Sequence, residues 1–341
     1  MADVENFMGV SAGDIEKIMG VATGDIEAVM GLGIVTASWH GTRGVGGGGN
    51  GGINYFDREN VIQYKAVTSS GNCADFGDLS VANQWAGAVS NTTRGVFGGG
   101  QTAAGGSGIN TIEYITVGST GDVTDHGDLT AIIESSTGGG NGIRGLFHYH
   151  SFSDKQVDYI TIASTGDAAD FGDFSATAMK YRGAVNNSVR VLFAGGSATG
   201  GTQKNEIEYF TPASTGNATD FGNLTSTAAH CGGLESDVRG CWNKGSNGGA
   251  PGNAPRQIDY VTIASAADAS DFGDMLATNV GEHVCNGLSN LVRGEWWGGS
   301  DTSDGAMDEI QYITIASTGN STDAGNLTQD IRYGPACLSG T

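Results

Sequence analysis

A repeat of about fifty residues constrains the fold of this chain more than any other feature. From residue 35 onward, an apolar residue, a polar residue and a tyrosine occur in succession six times. An aspartate is always found eleven residues after the tyrosine. An arginine lies roughly twenty residues before each tyrosine. The tyrosines are Tyr64, Tyr114, Tyr159, Tyr209, Tyr260 and Tyr312; the aspartates are Asp75, Asp125, Asp170, Asp220, Asp271 and Asp323; the arginines are Arg43, Arg94, Arg144, Arg190, Arg239 and Arg293.

Each unit reads as four short strands. Around Tyr114, apolar and polar residues alternate with the period of a half-buried strand, and the Ser-Thr-Gly-Asp at Ser119–Asp122 has the composition of a tight hairpin. Units of this length cannot bury both faces alone and pack best as the blades of a propeller. We expect an all-β fold, a six-bladed β-propeller over residues 35–341. Its first blade would be completed by Tyr333–Ser339 or, alternatively, by Val35–Trp39.

The repeat resembles the kelch and galactose-oxidase propellers, whose blades carry a double glycine after one strand, a tyrosine in the next and a large residue in the fourth. In this chain Phe76, Phe171, Phe221, Phe272, His126 and Ala324 stand at that last position. The copper oxidase of that family uses tyrosines, histidines and a cysteine crosslinked to tyrosine, and no such set maps onto this sequence. The resemblance therefore implies the fold without that activity, and we expect no enzyme, no cofactor and no metal.

Residues that recur in every unit are expected to be structural, because a feature of all six blades does not mark one site. These residues include Arg94, Tyr114, Asp125, Tyr159, Asp170 and Asp220. We expect each arginine to contact an aspartate or a backbone carbonyl within its own blade.

The varied part of each unit lies between the arginine and the tyrosine, where the interval runs from 15 to 21 residues. Varied loops on a rigid scaffold are the usual place for binding. Aromatic residues there beside Asn, Asp and Gly are typical of a sugar-binding surface, although a tryptophan can equally close a blade core. The candidate binding residues are Tyr149, Phe152, Trp242, Trp296 and Trp297.

Two other patterns are weaker indications of a metal site. His148 and His150 would share one side of a strand, as in the start of a metal site, but no third ligand is evident. The triplets beginning at Asp122 and Asp167 place carboxylates in a turn, as calcium loops do, with a spacing that differs from that of an EF-hand.

The first 34 residues carry a different repeat, an eight-residue unit written three times at a spacing of eleven, as in Asp14–Val21. Aspartate at its start and glycine near its end predict short helices, too short to be stable alone. Their apolar residues would form an assembly anchor: Phe7, Met8, Ile15, Ile18, Met19, Ile26, Val29 and Met30. These residues would pack on the propeller's own flank, on a larger assembly or on copies of the chain. The unit resembles short "DIxxIMG" repeats that precede a display or adhesion domain in structural proteins of tailed bacteriophages.

The net charge and the spacing of the cysteines limit the kinds of partner that we expect for this protein. A formal net charge of -21 opposes binding to nucleic acid and to anionic lipid, and no apolar stretch is long enough to cross a bilayer. The five cysteines are scattered and form no CxxC pair, which indicates free thiols.

The phage resemblance implies a virion protein, on the tail or the capsid, that recognises a host glycan or another virion subunit in a symmetric assembly. The rivals are a cytoplasmic kelch-like interaction module and, third, a propeller enzyme.

Overall fold

The computed structural model divides the chain into two compact units, Met1–Ser38 and Trp39–Thr341. In the second unit it describes residues 39–51, 57–103, 107–149, 154–175, 179–245, 256–276, 286–301 and 305–341. In the first unit it describes six two-residue strands, Asn6–Phe7, Val10–Ser11, Lys17–Ile18, Val21–Ala22, Ala28–Val29 and Leu32–Gly33.

The second unit is an all-β, six-bladed β-propeller, as predicted, and each blade is a sheet of four antiparallel strands. From the innermost strand outward, blade 1 contains Ala336–Gly340, Arg43–Gly47, Val61–Ala66 and Ala74–Asp78. Blade 2 contains Gly87–Ser90, Arg94–Gly98, Ser107–Thr116 and Thr124–Ile133, with the short strand Gln101–Ala103 on its third strand. Blade 3 contains Ser136–Gly140, Arg144–Tyr149, Gln156–Thr161 and Ala169–Asp173. Blade 4 contains Gly183–Asn186, Val191–Ala194, Lys204–Phe210 and Thr219–Ala228. Blade 5 contains Gly233–Glu235, Arg239–Asn243, Gln257–Thr262 and Ser270–Asp274; blade 6 contains Asn286–Ser289, Arg293–Trp297, Met307–Thr314 and Thr322–Ile331.

The ring is closed by the C-terminal strand. Ala336–Gly340 pairs antiparallel with Arg43–Gly47, so the first blade draws its inner strand from one end of the propeller sequence and its other three from the other end. Of the two closures that the sequence left open, the C-terminal one is therefore confirmed. The closed ring leaves no inner-strand edge without a neighbouring blade.

The hydrophobic core lies between neighbouring blades. In five of the six blades an aromatic side chain of the fourth strand stands edge-on to the repeat tyrosine, as Phe171 does to Tyr159 at a centroid separation of 5.6 Å; blade 6 has Ala324 at that position. Phe171 is 2% exposed and packs with Val191, Phe193 and Phe210 of the next blade. The large residue predicted for the fourth strand thus fills the space between two blades, and burial on this scale is the main source of stability.

The recurring arginines join each blade to the next. Arg94 lies over the ring of Tyr114, 4.0 Å from the centroid, and donates from its guanidinium to the carbonyl of Ile162 in blade 3 at 3.2 Å. Arg144 repeats this arrangement over Tyr159, with Pro212 of blade 4 as acceptor. The expected carbonyl contact is therefore present, but it crosses to the next blade instead of staying within one.

The recurring aspartates act locally. Asp125, Asp170 and Asp220 are exposed, and the Asp170 carboxylate accepts the N–H of Gly172 at 3.0 Å. Gly172 has a φ of 144°, and a side chain there would meet the carbonyl of Gly216 in the next blade, so only glycine fits. The aspartate therefore fixes the turn of the fourth strand against the next blade's hairpin and has no arginine partner among the described contacts.

The triplet aspartates have a related role between blades. Asp122 accepts the N–H of Asp78 at 3.0 Å, and Asp167 accepts that of Asp128 at 3.1 Å, each across a blade boundary. The two groups that suggested calcium loops are thus hydrogen-bonded parts of the blade junctions.

The first unit contains three strand pairs with one register. Phe7 pairs with Val10, Ile18 with Val21, and Val29 with Leu32. The stretch expected to be helical therefore includes strand at Lys17–Ile18. Residues 12–16 and 23–27, which carry Ile15, Ile26 and the predicted helix starts, lie outside the described residues, as do Met8, Met19 and Met30. The helices and the anchor role stay predictions.

Candidate functional site

The propeller has two faces of different construction. The hairpin face carries the loops that join first to second strands and third to fourth strands, such as residues 91–93 and 117–123 in blade 2. The crossing face carries the second-to-third loops and the blade-to-blade connections, such as residues 134 and 135. The crossing face is the varied face of the sequence analysis.

The ends of the inner strands line the central channel at the hairpin face. Trp39 and His40 lie there among the ends of the inner strands, beside a cavity of about 60 Å³. The His40 Nε2 atom is 2.7 Å from the Glu235 carboxylate, which also accepts the side-chain amide of Asn186 at 3.2 Å. A space of this size holds a few water molecules and no larger ligand.

At the crossing face, four aromatic rings from blades 1, 2, 4 and 5 line the other end of the channel. They line a cavity of about 50 Å³ together with Ser136 and Thr137. We call this group the aromatic mouth, and it consists of Trp85, Tyr181, His230 and Tyr333. The four rings form a chain of contacts. Trp85 meets Tyr333 edge-on at 5.0 Å and Tyr181 at 6.3 Å, and Tyr181 stacks on His230 at 3.9 Å.

The backbone at the aromatic mouth is strained in a repeated way. Trp85, Tyr181 and His230 have φ values of 61°, 64° and 57°, and each stands just before the inner strand of its blade. Left-handed backbone at a residue other than glycine costs about 1–3 kcal/mol and is concentrated at functional sites. In three blades, therefore, a strained backbone conformation places an aromatic ring at the channel.

The polar side of the aromatic mouth is fixed by a buried ion pair. Arg182 donates to the Glu208 carboxylate at 2.8 Å and lies over the ring of Phe174, 4.1 Å from its centroid. Burial lowers the pKa of the Arg182 guanidinium, and the charge of Glu208 raises it in part. Burial also raises the pKa of the Tyr181 hydroxyl, and the charge of Glu134 raises it further. Tyr181 is therefore a neutral hydroxyl at neutral pH.

The predicted binding residues lie elsewhere. Trp242, Trp296 and Trp297 are fully buried between blades, so the alternative reading, a tryptophan in a blade core, holds for all three. Tyr149 is 1% exposed and donates its hydroxyl proton to the Asp158 carboxylate. Burial, followed by that hydrogen bond, raises the pKa of Tyr149. The structure places these four side chains in blade cores and not on the surface. Phe152 lies outside the described residues.

The histidine pair is likewise part of the core where it is described. His148 is buried edge-on against Phe174 at 4.6 Å, and His150 lies outside the described residues. Within the described ranges, no group of three or more His, Cys, Asp or Glu side chains is placed to hold a metal ion. No helix in that part of the chain has the length and apolar character to span a membrane.

A signal for the aromatic mouth was present in the sequence. Trp85, Tyr181 and His230 each stand two residues before a glycine, Gly87, Gly183 or Gly232, that lies at or directly before the start of an inner strand. Alignment of the units on that glycine, instead of on the repeat tyrosine, brings the three aromatic residues to one position.

The arrangement offers aromatic edges and faces beside hydroxyl groups at the open end of a rigid ring. Its cavity of about 50 Å³ holds only a few water molecules, so a ring-shaped group would stack on the half-buried rings of Trp85, Tyr181 and His230 at the rim and form a few hydrogen bonds there. Comparison of the sequence with models of known protein families finds no matching family, and comparison with curated proteins finds no match.

Proposed function

We propose that this protein is a recognition and display protein whose aromatic mouth binds a carbohydrate. The observation that carries this proposal is the repeated left-handed backbone at Trp85, Tyr181 and His230. Sugar rings present flat arrays of C–H groups that stack on aromatic faces, and their hydroxyls pair with groups such as those of Ser136 and Thr137.

The test is binding of the full chain to an array of bacterial surface glycans, followed by titration of the best responder. Trp85→Leu and Tyr181→Leu are expected to weaken binding about tenfold or more, since each removes a stacking face. Ile132→Ala is the matched control, because Ile132 is 71% exposed at the end of an outer strand and does not line the aromatic mouth. Equal binding by the variants and the parent, with all circular dichroism spectra unchanged, would show that the mouth is not the glycan site.

The proposal extends to a place in a virion. The resemblance of the N-terminal units to phage structural proteins supports it, and so does the common register of the three strand pairs. Three equivalent units suit attachment to repeated or neighbouring surfaces of a symmetric particle. We therefore propose that residues 1–34 attach the chain to other proteins of a phage tail or capsid, and that the propeller is displayed from the particle.

The experiment compares the full chain with residues 39–341 by size exclusion and light scattering. Every strand of the propeller lies between Arg43 and Gly340, so the shorter chain keeps all six blades. The expected result is self-association of the full chain and a folded monomer for the shorter one. An unfolded or aggregated shorter chain would mean that the N-terminal units belong to the propeller's own core. Full-length monomers would favour the rival kelch-like interaction module.

A further inference from the structure

The hairpins between first and second strands carry an apolar residue at the same position in four successive blades. The residue directly before the repeat arginine is exposed and β-branched in all six blades. We call these residues the tip ring: Thr42, Thr93, Ile143, Val189, Val238 and Val292. Ile143 and Val292 are each 65% exposed, Val189 is 58% exposed and Val238 is 54% exposed.

The tip ring holds most of the large apolar side chains that stand in solvent. Among the described residues six such side chains are exposed, and four of them are in the tip ring; the other two are Val81 and Ile132. Single exposed apolar residues are normal, but a grouped set marks an interaction surface. The same position in four consecutive blades makes this grouping a property of the repeat.

The tips are held rigidly. In blade 3 the side-chain oxygen of Asn141 accepts the N–H groups of Ile143 and Arg144, at 3.1 and 2.9 Å. The carbonyl of Ile143 accepts the N–H of Ile162 at 2.9 Å, which ties the tip to the third strand of its blade. Asn187 and Asn290 make the same pair of bonds in blades 4 and 6, and Ser236 makes them in blade 5. β-Branched side chains on fixed turns lose little entropy on binding.

An acidic border flanks the tip ring in blades 2, 3 and 5. The outer hairpins of the same face carry the exposed carboxylates of Asp122, Asp167 and Asp268. The basic groups nearest to the tips are the repeat arginines, and these lie over tyrosine rings, as Arg190 does at 4.5 Å. A second copy docking through this face would bring acidic border against acidic border, which opposes self-association.

We propose that the tip ring is a docking surface for a different protein, one that presents an apolar patch bordered by lysine and arginine. Apolar side chains at the centre with charge at the rim match the usual construction of a protein interface. The hairpin face therefore turns toward the bound protein and the aromatic mouth turns away from it. The inference concerns a surface separate from the aromatic mouth and stands without the carbohydrate proposal.

The test uses two fluorescent amphipathic peptides of equal apolar content as probes, one built of Leu and Lys and one of Leu and Glu. The full chain is expected to bind the Leu/Lys peptide and not the Leu/Glu peptide. Changing Ile143, Val189, Val238 and Val292 together to serine is expected to weaken binding about tenfold or more, because the apolar centre is lost while the acidic border remains. Val81→Ser with Ile132→Ser is the matched control and is expected to stay within about twofold of the parent.

Equal weakening in the control, or undiminished binding by the fourfold variant, would overturn the proposal, since binding would then follow overall charge alone. Hydrogen exchange on the unaltered chain gives a second readout that needs no folded variant. The Leu/Lys peptide is expected to protect the hairpins at residues 141–144 and 236–239, and protection confined to the crossing face would refute it. Self-association through the tips, seen as a dimer that the fourfold serine variant abolishes, would make a second copy the occupant instead.

Discussion

Replacement of Trp242 by alanine separates a core role from a binding role for the tryptophans of the second strands. The Trp242 side chain is fully buried with Ile207 and Phe221 of blade 4, and its ring N–H donates to the carbonyl of Gly183 at 3.2 Å. The tryptophan of blade 5 thus fastens blade 4 by packing and by a hydrogen bond.

The expected loss follows from these two contacts. Removal of a buried tryptophan side chain costs about 3–5 kcal/mol, and the Gly183 carbonyl left without its donor adds about 1 kcal/mol. A unit of roughly 300 residues has an unfolding entropy near 0.6 kcal/mol per kelvin. A loss of about 5 kcal/mol therefore lowers Tm by about 8 °C.

The assay is thermal unfolding followed by circular dichroism, with glycan binding measured on the same samples at 20 °C. Trp242→Phe is the matched control, because it keeps most of the buried volume and loses the hydrogen bond; a drop of about 2 °C is expected. An unchanged Tm for Trp242→Ala, or loss of glycan binding by the folded variant, would refute the core assignment.

Two further changes test the electrostatics of the blades. Burial lowers the pKa of His126, so the unfolded chain gains the proton more readily, and stability falls as the pH drops below about 6.5. His126→Phe places at that position the residue that four other blades carry, and its Tm is expected to fall less between pH 7 and pH 5.5 than that of the parent; identical pH dependence would contradict the reasoning. Asp259→Asn leaves the fully buried Lys244, 3.0 Å from the carboxylate, without its counter-charge, and is expected to destabilise by about 3–5 kcal/mol in urea unfolding. Addition of Lys244→Met should recover part of that loss, and a double variant less stable than Asp259→Asn would count against the pair.

The fold was readable from the sequence because the repeat fixes both strand count and register. The tyrosine and the residue eleven positions later lie on strands that pair with each other, so a constant interval reports a constant sheet geometry. The closing strand was readable as well, since the segment around Cys337 looks like an inner strand without a following arginine strand. Local patterns of this kind survive because each blade is built from neighbouring segments of the chain.

The candidate binding site was harder to predict from the sequence than the fold, for a geometric reason. Trp296 and Trp297 are adjacent in sequence, and alternation predicts one side chain on each face of the strand. In a propeller both faces of a blade are covered by neighbouring blades, so both tryptophans are buried. The partly exposed aromatic side chains lie instead just before the inner strands. Trp85 and Tyr181 stand there in left-handed backbone conformations that composition does not reveal.

The pairing of Ala336–Gly340 with Arg43–Gly47 has a consequence for how the protein forms. Blade 1 remains one strand short until the last residues of the propeller leave the ribosome, so synthesis of blades 2–6 precedes completion of the ring. The N–H of Thr42 donates to the carbonyl of Thr341 at 3.0 Å, which brings the two ends of the propeller sequence side by side. A circular permutant that joins these ends and opens a connection between two blades would carry all of its blades as continuous segments, and no blade would depend on pairing between strands from distant parts of the chain.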